Sequence, residues 1–123
     1  MRRVLVVDDD QDMRDLIGLM LRRAGYTTVA VESPFLALDV ATTEAFDVAV
    51  LDWSMPGMNG GELCTRMRES PDIPDTPIMI LTAHADQETR DRAFASGADR
   101  FMTKPFTLAE LSGAVAALIG SRT

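Results

Sequence analysis

The chain has 123 residues, 46% of them hydrophobic and 25% charged, a composition that builds one globular core across 1–123 and excludes a disordered or low-complexity chain. Twelve Lys and Arg against 19 Asp and Glu leave a formal charge of -7, which repels nucleic-acid phosphates and anionic lipid and argues against direct DNA binding. The single cysteine, Cys64, excludes an internal disulfide and a cysteine-clustered zinc site, favours a reducing compartment, and is read as a small buried hydrophobe.

Met1, Arg2 and Arg3 ahead of Val4, Leu5, Val6 and Val7 imitate the start of a secretory leader, but the apolar run stops at Asp8. The longest later apolar run, 113–120, is too short to span a bilayer, so the expectation is a cytoplasmic protein with no membrane partner. Short apolar runs at 4–7, 29–31, 47–51, 78–81 and 100–103 predict five strands, separated by stretches long enough for helices.

The first such stretch sets Met13, Leu16, Ile17, Met20, Leu21 and Ala24 on one helical face before Gly25 stops it. Ser33 followed by Pro34 opens a second helix, with Leu38 and Ala41 turned inward. A third runs from about Gly61 to Glu69 on a stripe of Leu63, Cys64 and Met67 and breaks at Pro71 and Pro74. The fourth, over 86–96, has only Ala93 and Phe94 as anchors, so it is weakly held. Thr107 with Glu110 forms a capping box for the fifth, which buries Leu108, Leu111, Val115, Leu118 and Ile119.

Five strands alternating with five helices, the inner strands apolar on both faces, predict an α/β doubly wound parallel sheet of order 2-1-3-4-5. Ligands in such sheets bind at the carboxyl ends of the strands. The first strand ends in Asp8, Asp9 and Asp10, the third in Asp52, the fourth in Thr82, and Lys104 follows the fifth. Carboxylates meeting at one edge repel unless a cation neutralises them, and all-oxygen donors select Mg²⁺ or a similar hard ion such as Mn²⁺. A carboxylate can also accept a phosphoryl group, a transfer that needs charge neutralised on the phosphoryl oxygens. Asp52, alone after a buried run, is the better nucleophile; Asp8 and Asp9 are the better metal ligands; Asp10 and Asp12 are read as helix caps. His84, the sole histidine, is read as a solvated loop residue.

Asp8-Asp9, the segment 52–60 (DWSMPGMNG), Thr82-Ala83 and Lys104-Pro105-Phe106 together resemble the receiver domain of bacterial two-component response regulators, over essentially the whole chain. That resemblance implies a flavodoxin-like, receiver-type fold. It implies Asp52 as phosphoacceptor, Asp9 as a direct metal ligand, Asp8 as a ligand through water, and the Ser54 backbone carbonyl as a further ligand. Lys104 would pair with the phosphoryl group, Thr82 would hydrogen-bond it, and Lys104-Pro105 would be cis. The implied switch uses Thr82 and Phe101 and remodels the α4-β5-α5 face toward a downstream partner or output domain. Ser54 and His84 would flank the path of the hydrolytic water.

The implied phosphodonor is a sensor histidine kinase or a histidine phosphotransfer protein, and the chain would catalyse only its own phosphorylation and dephosphorylation, without being an enzyme for others. Relatives with a winged-helix DNA-binding domain carry a second acid where Arg100 stands and basic residues along the last helix, so dimerisation by that charge pairing is not expected. A haloacid-dehalogenase-like phosphatase shares the Asp nucleophile, but it needs that Asp on the first strand and Thr or Val where Asp12 stands. A flavodoxin-like cofactor binder is disfavoured because Asp8, Asp9 and Asp10 would repel a cofactor phosphate. A degenerate receiver is disfavoured by retention of every acidic, hydroxyl and lysine position.

Overall fold

The computed structural model describes residues 2–120, and within them strands and helices alternate strictly. They are β1 (Arg3–Val7), α1 (Gln11–Arg23), β2 (Thr27–Val31), α2 (Pro34–Thr43), β3 (Val48–Asp52), α3 (Gly60–Glu69), β4 (Ile78–Thr82), α4 (Gln87–Ala95), β5 (Arg100–Thr103) and α5 (Leu108–Gly120). All strands pair in parallel in the order β2-β1-β3-β4-β5, as expected from the alternating pattern.

The side-chain period of two divides the inner strands between two cores. Leu5, Val7, Ala49, Leu51, Ile78 and Ile80 face the layer that holds Leu63, Cys64, Met67 and Ala93. Val4, Val6, Val48, Val50, Met79 and Leu81 face Ile17, Leu21, Leu111, Val115 and Leu118 of α1 and α5. Each fully buried aliphatic side chain of this kind stabilises the fold by about 1.5–3 kcal/mol, so β1, β3 and β4 form a rigid floor. β2 and β5 are the partly exposed edges.

Helix starts follow the capping residues. Asp10 accepts the Asp12 N–H at 3.1 Å, Ser33 the Leu36 N–H at 3.1 Å, and Asn59 and Glu62 form a reciprocal capping box that starts α3 at Gly60, one residue earlier than expected. The expected box at α5 is present: Thr107 N–H donates to Glu110 at 2.9 Å and Glu110 N–H to Thr107 Oγ1 at 3.1 Å. Asp12 lies in the first turn of α1 and leaves the capping to Asp10.

Four apolar anchors are turned outward, contrary to expectation. Leu16 and Ala24 stand at the exposed margin of α1, and Leu108, the first residue of α5, is 40% exposed because it precedes the turns that reach the sheet. Phe94 is also 40% exposed, with Arg90 5.4 Å above its ring, so Ala93 is the only buried residue of α4. No helix among the described residues is long and apolar enough to cross a membrane.

Candidate functional site

Parallel pairing places the ends of β1, β3, β4 and β5 along one edge of the sheet. Val7 pairs with Leu51, Asp52 with Leu81, and Thr82 with Thr103, so the residues that close these strands become neighbours. Asp8, Asp9 and Asp52 each offer a carboxylate oxygen, and these oxygens lie within 4.8 Å of one another. Asp8 and Asp52 are buried, at 1% and 6% exposure, whereas Asp9 faces solvent.

Lys104 enters from the far end. Its backbone N–H donates to the Thr82 carbonyl at 2.8 Å, the following Lys104-Pro105 bond is cis, and its Nζ donates to Asp52 Oδ1 at 3.0 Å and to Asp8 Oδ2 at 3.4 Å. Thr82 is buried, and its hydroxyl oxygen accepts the His84 N–H at 3.0 Å within the β4–α4 turn. His84 is exposed in that turn, Ser54 is exposed two residues beyond Asp52, and Phe101 lies half-buried on β5.

Further side chains hold the site. Asp8 is fixed at three points: its N–H donates to the Val31 carbonyl at 3.2 Å, its Oδ1 accepts the Asp10 N–H at 2.9 Å, and its carbonyl accepts Arg14 Nη1 at 2.8 Å. This leaves Oδ2 as the oxygen turned toward Lys104. Gly60 lies against β3 so closely that a Cβ there would sit 2.5 Å from the Asp52 carbonyl oxygen, and one at Gly61 would sit 2.9 Å from the Trp53 ring. Arg14 gives no sequence signal that separates it from an ordinary helix-surface arginine. The Gly60-Gly61 pair is visible in the sequence, but its purpose is visible only in the packing.

Burial and the neighbouring Asp8 carboxylate raise the Asp52 pKa from its ordinary 3.8, and the Lys104 hydrogen bond only partly offsets them. Burial acts to lower the Lys104 pKa, but Asp52 and Asp8 outweigh it and raise it above 10.5. The two directions are consistent: one ammonium shared by several acids gains from each, while each acid still meets the others. Three carboxylates and one ammonium leave two negative charges in excess. A divalent cation with oxygen preference matches that excess, and the donor set fits Mg²⁺ or Mn²⁺.

A sequence profile described as the response regulator receiver domain matches residues 4–116. The chain belongs to that family. The receiver is 33% identical over 118 residues to the phosphate regulon transcriptional regulatory protein PhoB of Pseudomonas aeruginosa, covering 96% of this chain and 52% of the relative. It is 36% identical over 121 residues to the response regulator MprA of Mycolicibacterium vanbaalenii, covering 98% of this chain and 52% of that protein. The receiver thus spans about half the length of these relatives.

Among solved structures, the receiver domain of the Francisella response regulator 1452 superposes with a TM-score of 0.92 at 32% identity, each chain covered in full. The receiver domain of the sensor histidine kinase PA1611 of Pseudomonas aeruginosa superposes with a TM-score of 0.89 at 28% identity, covering 97% of this chain and 98% of that one. That structure holds a magnesium ion coordinated in its active site cleft. The doubly wound, flavodoxin-like fold is thereby established for this receiver, and with it a place in two-component signalling.

Proposed function

We propose that this receiver accepts a phosphoryl group on Asp52 from a phosphohistidine of a sensor histidine kinase or a histidine phosphotransfer protein. The supporting observation is the convergence of Asp8, Asp9, Asp52 and Lys104 at one sheet edge, with Asp52 the buried member that Lys104 holds at 3.0 Å. In the transfer a carboxylate oxygen of Asp52 bonds to phosphorus as the P–N bond of phosphohistidine breaks. The imidazole leaves with the electron pair and takes up a proton.

Asp8, Asp9, Asp52 and the Ser54 carbonyl would hold Mg²⁺ or Mn²⁺, which when bound supplies positive charge to the phosphoryl oxygens. Lys104, already within reach of Asp52, pairs with the phosphoryl group once Asp52 carries it. The Thr82 hydroxyl keeps a hydrogen that it can donate to a phosphoryl oxygen, and Phe101 on β5 follows the Thr82 movement, which alters the α4-β5-α5 face for a downstream partner or output domain. The chain acts only on itself in this account and is not an enzyme for other substrates. With one buried cysteine it suits the reducing cytoplasm.

Intact mass spectrometry after incubation with Mg²⁺ and acetyl phosphate tests the reading. One added phosphoryl group is expected on the wild type and none on Asp52→Asn. Equal labelling of both proteins would move the acceptor away from Asp52.

A further inference from the structure

α4 is the least anchored helix of the fold, with Ala93 its only buried residue, yet two arginines fasten it to aromatic rings on different elements. Arg90 lies 5.7 Å from the centroid of Phe101 on β5. Arg92 lies 5.1 Å from the centroid of Trp53, the residue directly after Asp52.

Trp53 is a fixed post. Its N–H donates to the Leu81 carbonyl at 2.8 Å, its carbonyl accepts the Gly60 N–H at 2.9 Å, and the missing side chain of Gly61 gives its ring room at the start of α3. Trp53 is 8% exposed and lines one wall of a cleft of about 690 Å³ between α3 and α4, which Arg92 lines from the other side. Trp53 thus shares a peptide bond with Asp52 on one side and carries an α4 guanidinium over its ring on the other.

We propose that the Trp53–Arg92 contact is a second route from the phosphoacceptor to α4, separate from the Thr82 and Phe101 route, with Arg92 as its positioning residue. The inference rests on the phosphoacceptor reading above. A guanidinium over an indole contributes enough to shift a local opening equilibrium about two- to five-fold, a large change for a helix with one buried anchor. Coupling through it is reciprocal: the state of Asp52 biases how α4 sits, and the seat of α4 biases the Asp52 loop.

Amide hydrogen exchange of the full chain, with and without Mg²⁺ and fluoroberyllate as phosphoryl mimic, tests this. In the wild type the mimic is expected to change exchange across 87–95 and across β5. In Arg92→Met the change across 87–95 should shrink by about two- to five-fold while that across β5 persists, and Arg92→Lys should fall between. Should Arg92→Met fray α4 even without the mimic, Trp53→Leu removes the ring while keeping every residue of α4, and it must show the same selective loss. An α4 response equal to wild type in both variants, or no α4 response in a wild type that binds the mimic, would overturn the second route and leave the phosphoacceptor reading standing. No binding of the mimic to the wild type would overturn both.

Discussion

At the scale of single residues, Asp52 sits where its ionised form is disfavoured. Its raised pKa means that the folded chain holds more protons than the unfolded one between pH 3.8 and the raised value, so stability falls as pH rises through that window. At neutral pH without metal, Asp52→Asn is therefore expected to melt above the wild type, by about 4 °C for each kcal/mol released, and the gap should close below about pH 4. Thermal melts from pH 3 to 8 check this, and a wild type that stays the more stable protein at neutral pH would contradict it. Lys104 has a linkage of the same sign for the opposite reason, since the fold favours its charged form: its raised pKa contributes stability below 10.5 that is lost as pH rises beyond.

Gly60→Ala should destabilise the domain by about 2 kcal/mol or more, because the new methyl would meet the Asp52 carbonyl, which is backbone and cannot rotate away. Denaturant midpoints measure that loss. Cys64, whose thiol burial pushes up, should resist thiol reagents until the chain unfolds. Asp8, Asp9, Asp52, Thr82 and Lys104 were legible as site candidates because each closes or follows an apolar run, and a parallel sheet gathers such positions at one edge. Arg14 and Arg92 were not legible, since a helical arginine that reaches a carbonyl or a ring has the same local pattern as one that reaches water.

At the scale of elements, hydrophobic period placed every strand and helix, and caps placed most helix starts. It misjudged anchors where an apolar residue stands at the margin of a helical stripe or ahead of its first packed turn. Leu16 and Leu108 are such cases, and Phe94 is covered by an arginine of its own helix instead of the core. The weak anchoring of α4 was legible from its composition and holds in the fold. Native-state hydrogen exchange should accordingly show faster opening across 87–95 than across α1 or α3, each of which buries several residues. Equal protection in all three helices would contradict a loosely seated α4.

At the scale of the whole molecule, the rigid three-strand floor holds the acidic pocket while the α4 and β5 side remains free to respond. A cation that binds the folded pocket alone stabilises the domain by about 2.7 kcal/mol at a hundred times its Kd. Mg²⁺ should therefore raise the melting temperature of the wild type, and Asp9→Ala, which removes an exposed carboxylate of the cluster, should lose most of that rise. An equal rise in both proteins would place the ion elsewhere. The central claim remains that Asp52 itself carries the phosphoryl group. Borohydride reduction of the phosphorylated chain followed by peptide mapping tests it most directly, because an aspartyl phosphate is reduced to homoserine at the residue that held it. Homoserine is expected at position 52, and its appearance at position 8 or 9 instead would move the acceptor to Asp8 or Asp9.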